Sequence, residues 1–163
     1  MFRGRRLLLS SLAIALTLAL NAQAQSSSPA GLREAAPAEV VGRWALIATI
    51  RDAEDVTQSG VTQGGAVSVY DFKADGTFSI TRGESVLETG TWAANGSVVP
   101  KTFDHIQSVG GRPGRLVPGI YETGGGVLKI CFLPPSESST RPAKCEAKPE
   151  NGSRIYIMKR DTK

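Results

Sequence analysis

The chain has one histidine, His105, and two cysteines, Cys131 and Cys145, among 163 residues. So few ligands fall short of an ordinary zinc constellation. Two cysteines also exclude a disulfide-dense scaffold. A Ser-His-Asp arrangement would have to be built on that single histidine, and the G-x-S-x-G elbow is absent. Leu-rich helical segments are missing beyond the N-terminus, which disfavours a helix bundle. Parallel βαβ construction needs crossover helices, and none are legible. The Gly-rich run Gly110-Gly111-Arg112-Pro113-Gly114-Arg115 lacks both the Walker pattern and a following helix, so it is no phosphate loop. It reads as a solvent-facing loop, with Arg112 and Arg115 available to an anion at its rim. The acids Asp52, Glu54 and Asp55 lack the oxygen-rich 12-residue calcium loop and read as a solvated turn. No cofactor is implied.

The apolar run that does exist is N-terminal. Arg3, Arg5 and Arg6 precede Leu7–Leu20, and Ala22-Gln23-Ala24 follows. This is the tripartite pattern of a secretory signal peptide cleaved after Ala24. Its 14-residue apolar stretch is short for a bilayer span. No membrane span is expected in the mature chain, which would be exported to a periplasmic or extracellular, oxidising compartment. The formal charge of +4 changes with that reading. Without the three leader arginines, 16 Lys and Arg face 15 Asp and Glu. The mature chain is nearly neutral and carries no basic stripe, so nucleic acid is not an expected partner.

Residues 25–38 are small, polar and Pro-containing, and read as a flexible leader. The domain then spans 39–163 and is rich in strand signals. Val40–Ile50, Ala66–Phe72, Thr77–Thr81, Val86–Ala93, Thr102–Val109 with Val98 and Val99 before it, Gly119–Glu122, Val127–Leu133, Ala143–Lys148 and Arg154–Lys159 are the expected strands. Asp75-Gly76, Asn95-Gly96 and Asn151-Gly152 are tight-turn signals between them. The spacing predicts an all-β fold, a small antiparallel barrel of about eight strands whose closure removes exposed edges.

Several residues mark the ends of that barrel. Gly42-x-Trp44 opens the first strand and Lys159-Arg160 ends the last. Closure would lay these strands together, so a basic side chain either stacks on Trp44 or stays solvated beside a core tryptophan. A longer set follows: Asp75-Gly76-Thr77-Phe78, Gly90-Thr91-Trp92 and Pro100-Lys101-Thr102-Phe103-Asp104, then Gly119-Ile120-Tyr121-Glu122, Leu128-Lys129-Ile130-Cys131, Arg141-Pro142 and Lys159-Arg160. In order and spacing this set resembles a planctomycetal-type domain family of unknown function with a lipocalin-like barrel, from about Val40 to Arg160. The resemblance implies an exported or envelope-associated β protein and supplies no catalytic residues. Gly42, Trp44, Trp92, Asp104 and Arg160 are the structural positions it marks. The chain departs from the family pattern at Cys145, where an aromatic residue is usual. A hairpin register with Leu133 opposite Ala143 would set Cys131 across from Cys145, and a disulfide between them is expected.

Two classes of function stay open. One is non-catalytic binding of a small apolar ligand inside the barrel. Phe72, Phe78, Trp92, Phe103, Tyr121 and Phe132 are then candidate inward aromatics, and a continuous apolar pocket of about 300 Å³ or more is the feature to look for. The other is a protein-interaction module, such as an envelope scaffold or protease inhibitor, for which a filled barrel would speak. His105 reads as a structural or surface residue, Asp104 as a hydrogen-bond acceptor, and Tyr121 and Tyr156 as strand residues. The chain is not expected to be an enzyme.

Overall fold

A computed structural model describes residues 36–56, 65–133, 140–149 and 152–162. The expected signal peptide and most of the leader lie outside the described residues. Nine strands follow in order: β1 (Gly42–Arg51), β2 (Glu54–Asp55), β3 (Ser68–Phe72), β4 (Thr77–Arg82), β5 (Ser85–Asn95), β6 (Thr102–Val109), β7 (Leu116–Gly124), β8 (Val127–Phe132) and β9 (Arg154–Arg160). From β3 to β9 each strand pairs antiparallel with its neighbour in sequence, and β1 pairs with both β3 and β9. Eight strands therefore form a closed up-and-down ring of lipocalin-like architecture, with β2 folded back on the end of β1.

Local chemistry sets the hairpins. At the β3–β4 turn Gly76 has φ of 81°, and Asp75 Oδ1 accepts from the Thr77 amide and hydroxyl at 2.9 and 2.6 Å. At the β7–β8 turn Gly125 and Gly126 have φ of 58° and 75° between the paired Gly124 and Val127. Positive φ at both central residues suits the twist of a two-residue hairpin. Alternation then fills the interior. Trp44 and Leu46 of β1, Phe72, Phe78, Trp92, Phe103, Tyr121, Leu128, Ile130, Phe132 and Met158 are buried in one cluster.

One end of the ring is plugged. The turn before β1 places Val40 in the core, and Trp44 Nε1 donates to the Val40 carbonyl at 2.7 Å. Glu39 Oε1 accepts from the Tyr121 hydroxyl at 3.0 Å and from Lys101 Nζ at 3.2 Å. Arg160 lies over Trp44 with its guanidinium carbon 3.9 Å from the ring centroid, and donates to the Val41 carbonyl at 2.6 Å. Gly42 has φ of 125°, and a Cβ there would run into the Arg160 guanidinium. Gly42, Trp44 and Arg160 thus meet at the plugged end.

Two strand expectations fail. Ala143–Lys148 forms no strand; residues 143–145 are bends. Both edges of β8 are already taken by β7 and β9, and Pro142 lacks an amide proton, so no ladder is available. The hairpin register with Leu133 opposite Ala143 falls with it: Cys131 faces Ile120 and Ile155. The Cys131–Cys145 disulfide is nevertheless formed, with Cα atoms 5.4 Å apart. It ties the segment around Cys145 against the outer face of β7 and β8, where Ile120 and Cys131 are buried. Val98 and Val99 also lie outside any strand, and Val99 is fully exposed; β6 begins only at Thr102, beyond Pro100.

Candidate ligand cavity

The other half of the barrel is hollow. A cavity of about 340 Å³ enters from the end where β4 turns into β5 and β6 into β7. Its depth is set by an aromatic floor. Trp92 and Phe103 stack with centroids 5.7 Å apart and planes at 17°, and Phe72 meets each of them at 5.3 Å. Trp92 is held by its indole, which donates to the Lys73 and Thr77 carbonyls at 3.2 and 3.0 Å. Both acceptors lie at the β3–β4 turn, so Trp92 spans the barrel base.

Above the floor, two glycines make the walls thin. Gly90 on β5 pairs with Phe78, and a Cβ there would strike the Phe78 ring and the Ile106 carbonyl. Gly119 on β7 pairs with Phe132, and a Cβ there would fall 2.6 Å from that ring. The two rings lie back over these glycines, which leaves the space between them open. His105 stands on β6 between the glycine-bearing strands. Its ring meets Phe132 edge-on at 5.0 Å and Phe78 edge-on at 5.6 Å. Tyr70 and Tyr156, with centroids 6.1 Å apart, complete the aromatic wall.

Glu88, His105 and Gln107 converge on one side. Glu88, two positions before Gly90 on β5, faces inward and lines the cavity. One Glu88 oxygen lies 3.8 Å from His105 Nε2, beyond hydrogen-bond distance. Gln107, two positions after His105, donates to Glu88, while its own Oε1 accepts the Arg112 amide at 2.8 Å. That last bond pins the 110–115 loop at the mouth. Arg112 and Arg154 line the rim.

The electrostatics follow from burial. Desolvation holds the His105 imidazole down to about 4, against the opposing pull of the Asp104 charge, so it is neutral near pH 7. Desolvation raises the Glu88 carboxyl, partly offset by the Gln107 hydrogen bond. Burial likewise pushes the Tyr70 phenol well above its usual range, so it remains a neutral hydroxyl. Among the described residues no group of three or more His, Cys, Asp or Glu is placed to hold a metal ion. Beside His105 in the cavity wall stand Glu88 and Gln107. The arrangement can bind and orient a small molecule.

The sequence-derived residues divide between cavity and frame. Phe72, Phe78, Phe103 and Phe132 line the cavity; Trp92 lies in its floor and Tyr121 at the plugged end. Asp104 faces outward and forms an ion pair with Arg141, with Nη1–Oδ1 at 2.7 Å and Nη2–Oδ2 at 2.9 Å. Arg141 Nη1 also donates to the Gly119 carbonyl. His105 is not a surface residue: only 13% of its side chain is exposed, and it forms part of the cavity wall. Tyr156 is more than a strand residue, since its ring faces the same space. Sequence reading missed Glu88, Gln107, Tyr70 and Arg154. Alternation carried the signal for Glu88, which shares the face of Gly90 and Trp92. No protein-family model, no curated protein and no solved structure matches this chain.

Proposed function

We propose that this domain is a non-catalytic binding module for a small, largely apolar molecule held inside the barrel. The observation that carries the reading is the open, aromatic-walled cavity. Its volume of about 340 Å³ falls within the span of small-molecule sites, about 300–1,000 Å³, and its lining is largely aromatic and apolar, with Glu88, His105 and Gln107 meeting on one wall. It is about twice the size of the ~150 Å³ cavity known to hold benzene, so one or two rings fit. A barrel serving only as a protein scaffold needs no such void, and voids cost stability. Export to the periplasm or beyond, and membership of the planctomycetal-type lipocalin-like family, belong to the same proposal. They are supported by the tripartite N-terminus and the ordered motifs from Gly42 to Arg160. Intact mass of the exported protein tests the first: cleavage after Ala24 leaves residues 25–163, and a full-length membrane-bound chain refutes it.

The direct test is calorimetric titration with a neutral apolar probe, indole. Indole binds the wild-type chain saturably. Ile80→Trp fills the cavity and abolishes the heat while circular dichroism retains the β spectrum. Equal binding by both proteins would place the probe elsewhere and sink the reading.

A further inference from the structure

Resting on the cavity reading above, we propose that the bound molecule carries a protonated amine, with the Glu88 carboxylate as its counter-ion and the aromatic walls around its apolar body. Among the described residues Glu88 is the only acidic side chain lining the cavity, and 18% of it is exposed. Among the described residues no Lys or Arg lies within ion-pair distance of it. The titratable groups near it are His105, 3.8 Å away and kept uncharged by burial, and the Tyr70 phenol, which is likewise neutral. A carboxylate withdrawn from water beside a neutral imidazole is an uncompensated charge. Gln107 supplies one donor to it, while a carboxylate offers about four acceptor positions, so further donors can be accommodated. An ammonium group supplies the opposite charge and up to three donors.

The surrounding rings favour the same choice. Phe78, Phe132, Tyr70 and Tyr156 present π faces and edges to the space that Glu88 borders. A cation is attracted to such faces, and more strongly where water is excluded. Gln107 fixes the polarity of the wall. With its Oε1 taken by the Arg112 amide, its NH₂ is directed at Glu88, which keeps that carboxylate in place for a cation. The rim arginines would suit an anion instead. Arg112, however, is exposed at the mouth, where charge pairing is weak, and the half-buried Arg154 stands on β9, across the ring from Glu88 on β5.

The test compares three probes of similar shape by calorimetry on the full chain near neutral pH: phenethylamine, phenethyl alcohol and hydrocinnamate. The amine binds roughly tenfold or more tightly than the alcohol, the ratio expected of a charge-assisted hydrogen bond in a partly buried site. The carboxylate is weakest. Glu88→Gln keeps the shape of the side chain and removes its charge, and the amine-to-alcohol ratio falls to near one. The wild-type ratio is read without any variant, so a misfolded mutant does not shield the proposal. Equal binding of amine and alcohol by the wild type would overturn the amine assignment and leave the cavity reading standing. Preference for the carboxylate would also overturn it and transfer recognition to the rim. Failure of all three probes to bind would overturn both readings.

Discussion

Acid weakens this barrel over a window set by one side chain. His105 is the only histidine, and in the fold it titrates near 4 because its ring is desolvated among Phe78, Phe103 and Phe132. In the unfolded chain its midpoint is about 6.5. Between these values the unfolded chain binds a proton that the folded chain does not. Stability is therefore full above about 6.5, falls as pH drops through the window, and loses nothing more from this group below about 4. The difference in midpoints corresponds to about 3 kcal/mol, a large part of the 5–15 kcal/mol typical of a domain. Other groups act beside or below this window. Glu88, raised by burial, works in the opposite sense, since acid favours its folded, protonated form. A backbone hydrogen bond and then the Tyr121 hydroxyl hold Glu39 below the usual carboxylate range, as the Thr77 hydroxyl does Asp75 and Lys148 does Glu146; these add acid lability, but all three carboxylates are exposed and add little. Urea unfolding from pH 7.5 to 4, run beside His105→Phe, isolates the histidine contribution as the difference between the two curves. A proton NMR titration reads the same group directly, because a single histidine gives a single Hε1 resonance. A midpoint at or above 6.5 would refute the argument, as would identical pH dependence in the variant.

Trp44→Ala destabilises the domain by about 3–5 kcal/mol in urea unfolding, because the ring is buried and holds the Val40 carbonyl; a loss below about 1 kcal/mol would reject a core role. Arg160→Ala costs less, about 1 kcal/mol, since the stacked guanidinium is partly solvated. Replacing Cys131 and Cys145 together by Ala removes a cross-link closing about 15 residues and costs about 3 kcal/mol. Nonreducing peptide mapping of the wild type recovers one linked peptide pair; two freely alkylated thiols would contradict the bond.

Period-two alternation and turn chemistry made the meander legible without coordinates. Asp75-Gly76 and the glycines after Thr123 force tight reversals, and runs such as Phe78-Ser79-Ile80 declare an inner and an outer face. These are local properties, fixed by φ and by side-chain direction over a few residues. Ala143–Lys148 marks their limit: its composition suits a strand, yet the ring leaves it no edge to pair with. Cys131 and Cys145 meet as expected, but through a strap across the outer face of β8 and not through the hairpin that suggested the bond. The cavity lay furthest from view. Sequence alternation places Glu88 on the face of Trp92, yet says nothing of whether that face meets a ring, a chain or empty space. That outcome depends on eight strands closing at once, with Phe78 and Phe132 lying back over glycines on neighbouring strands. Facing direction is local and can be read along a strand; a void is what remains after distant side chains have filled their shares of one volume.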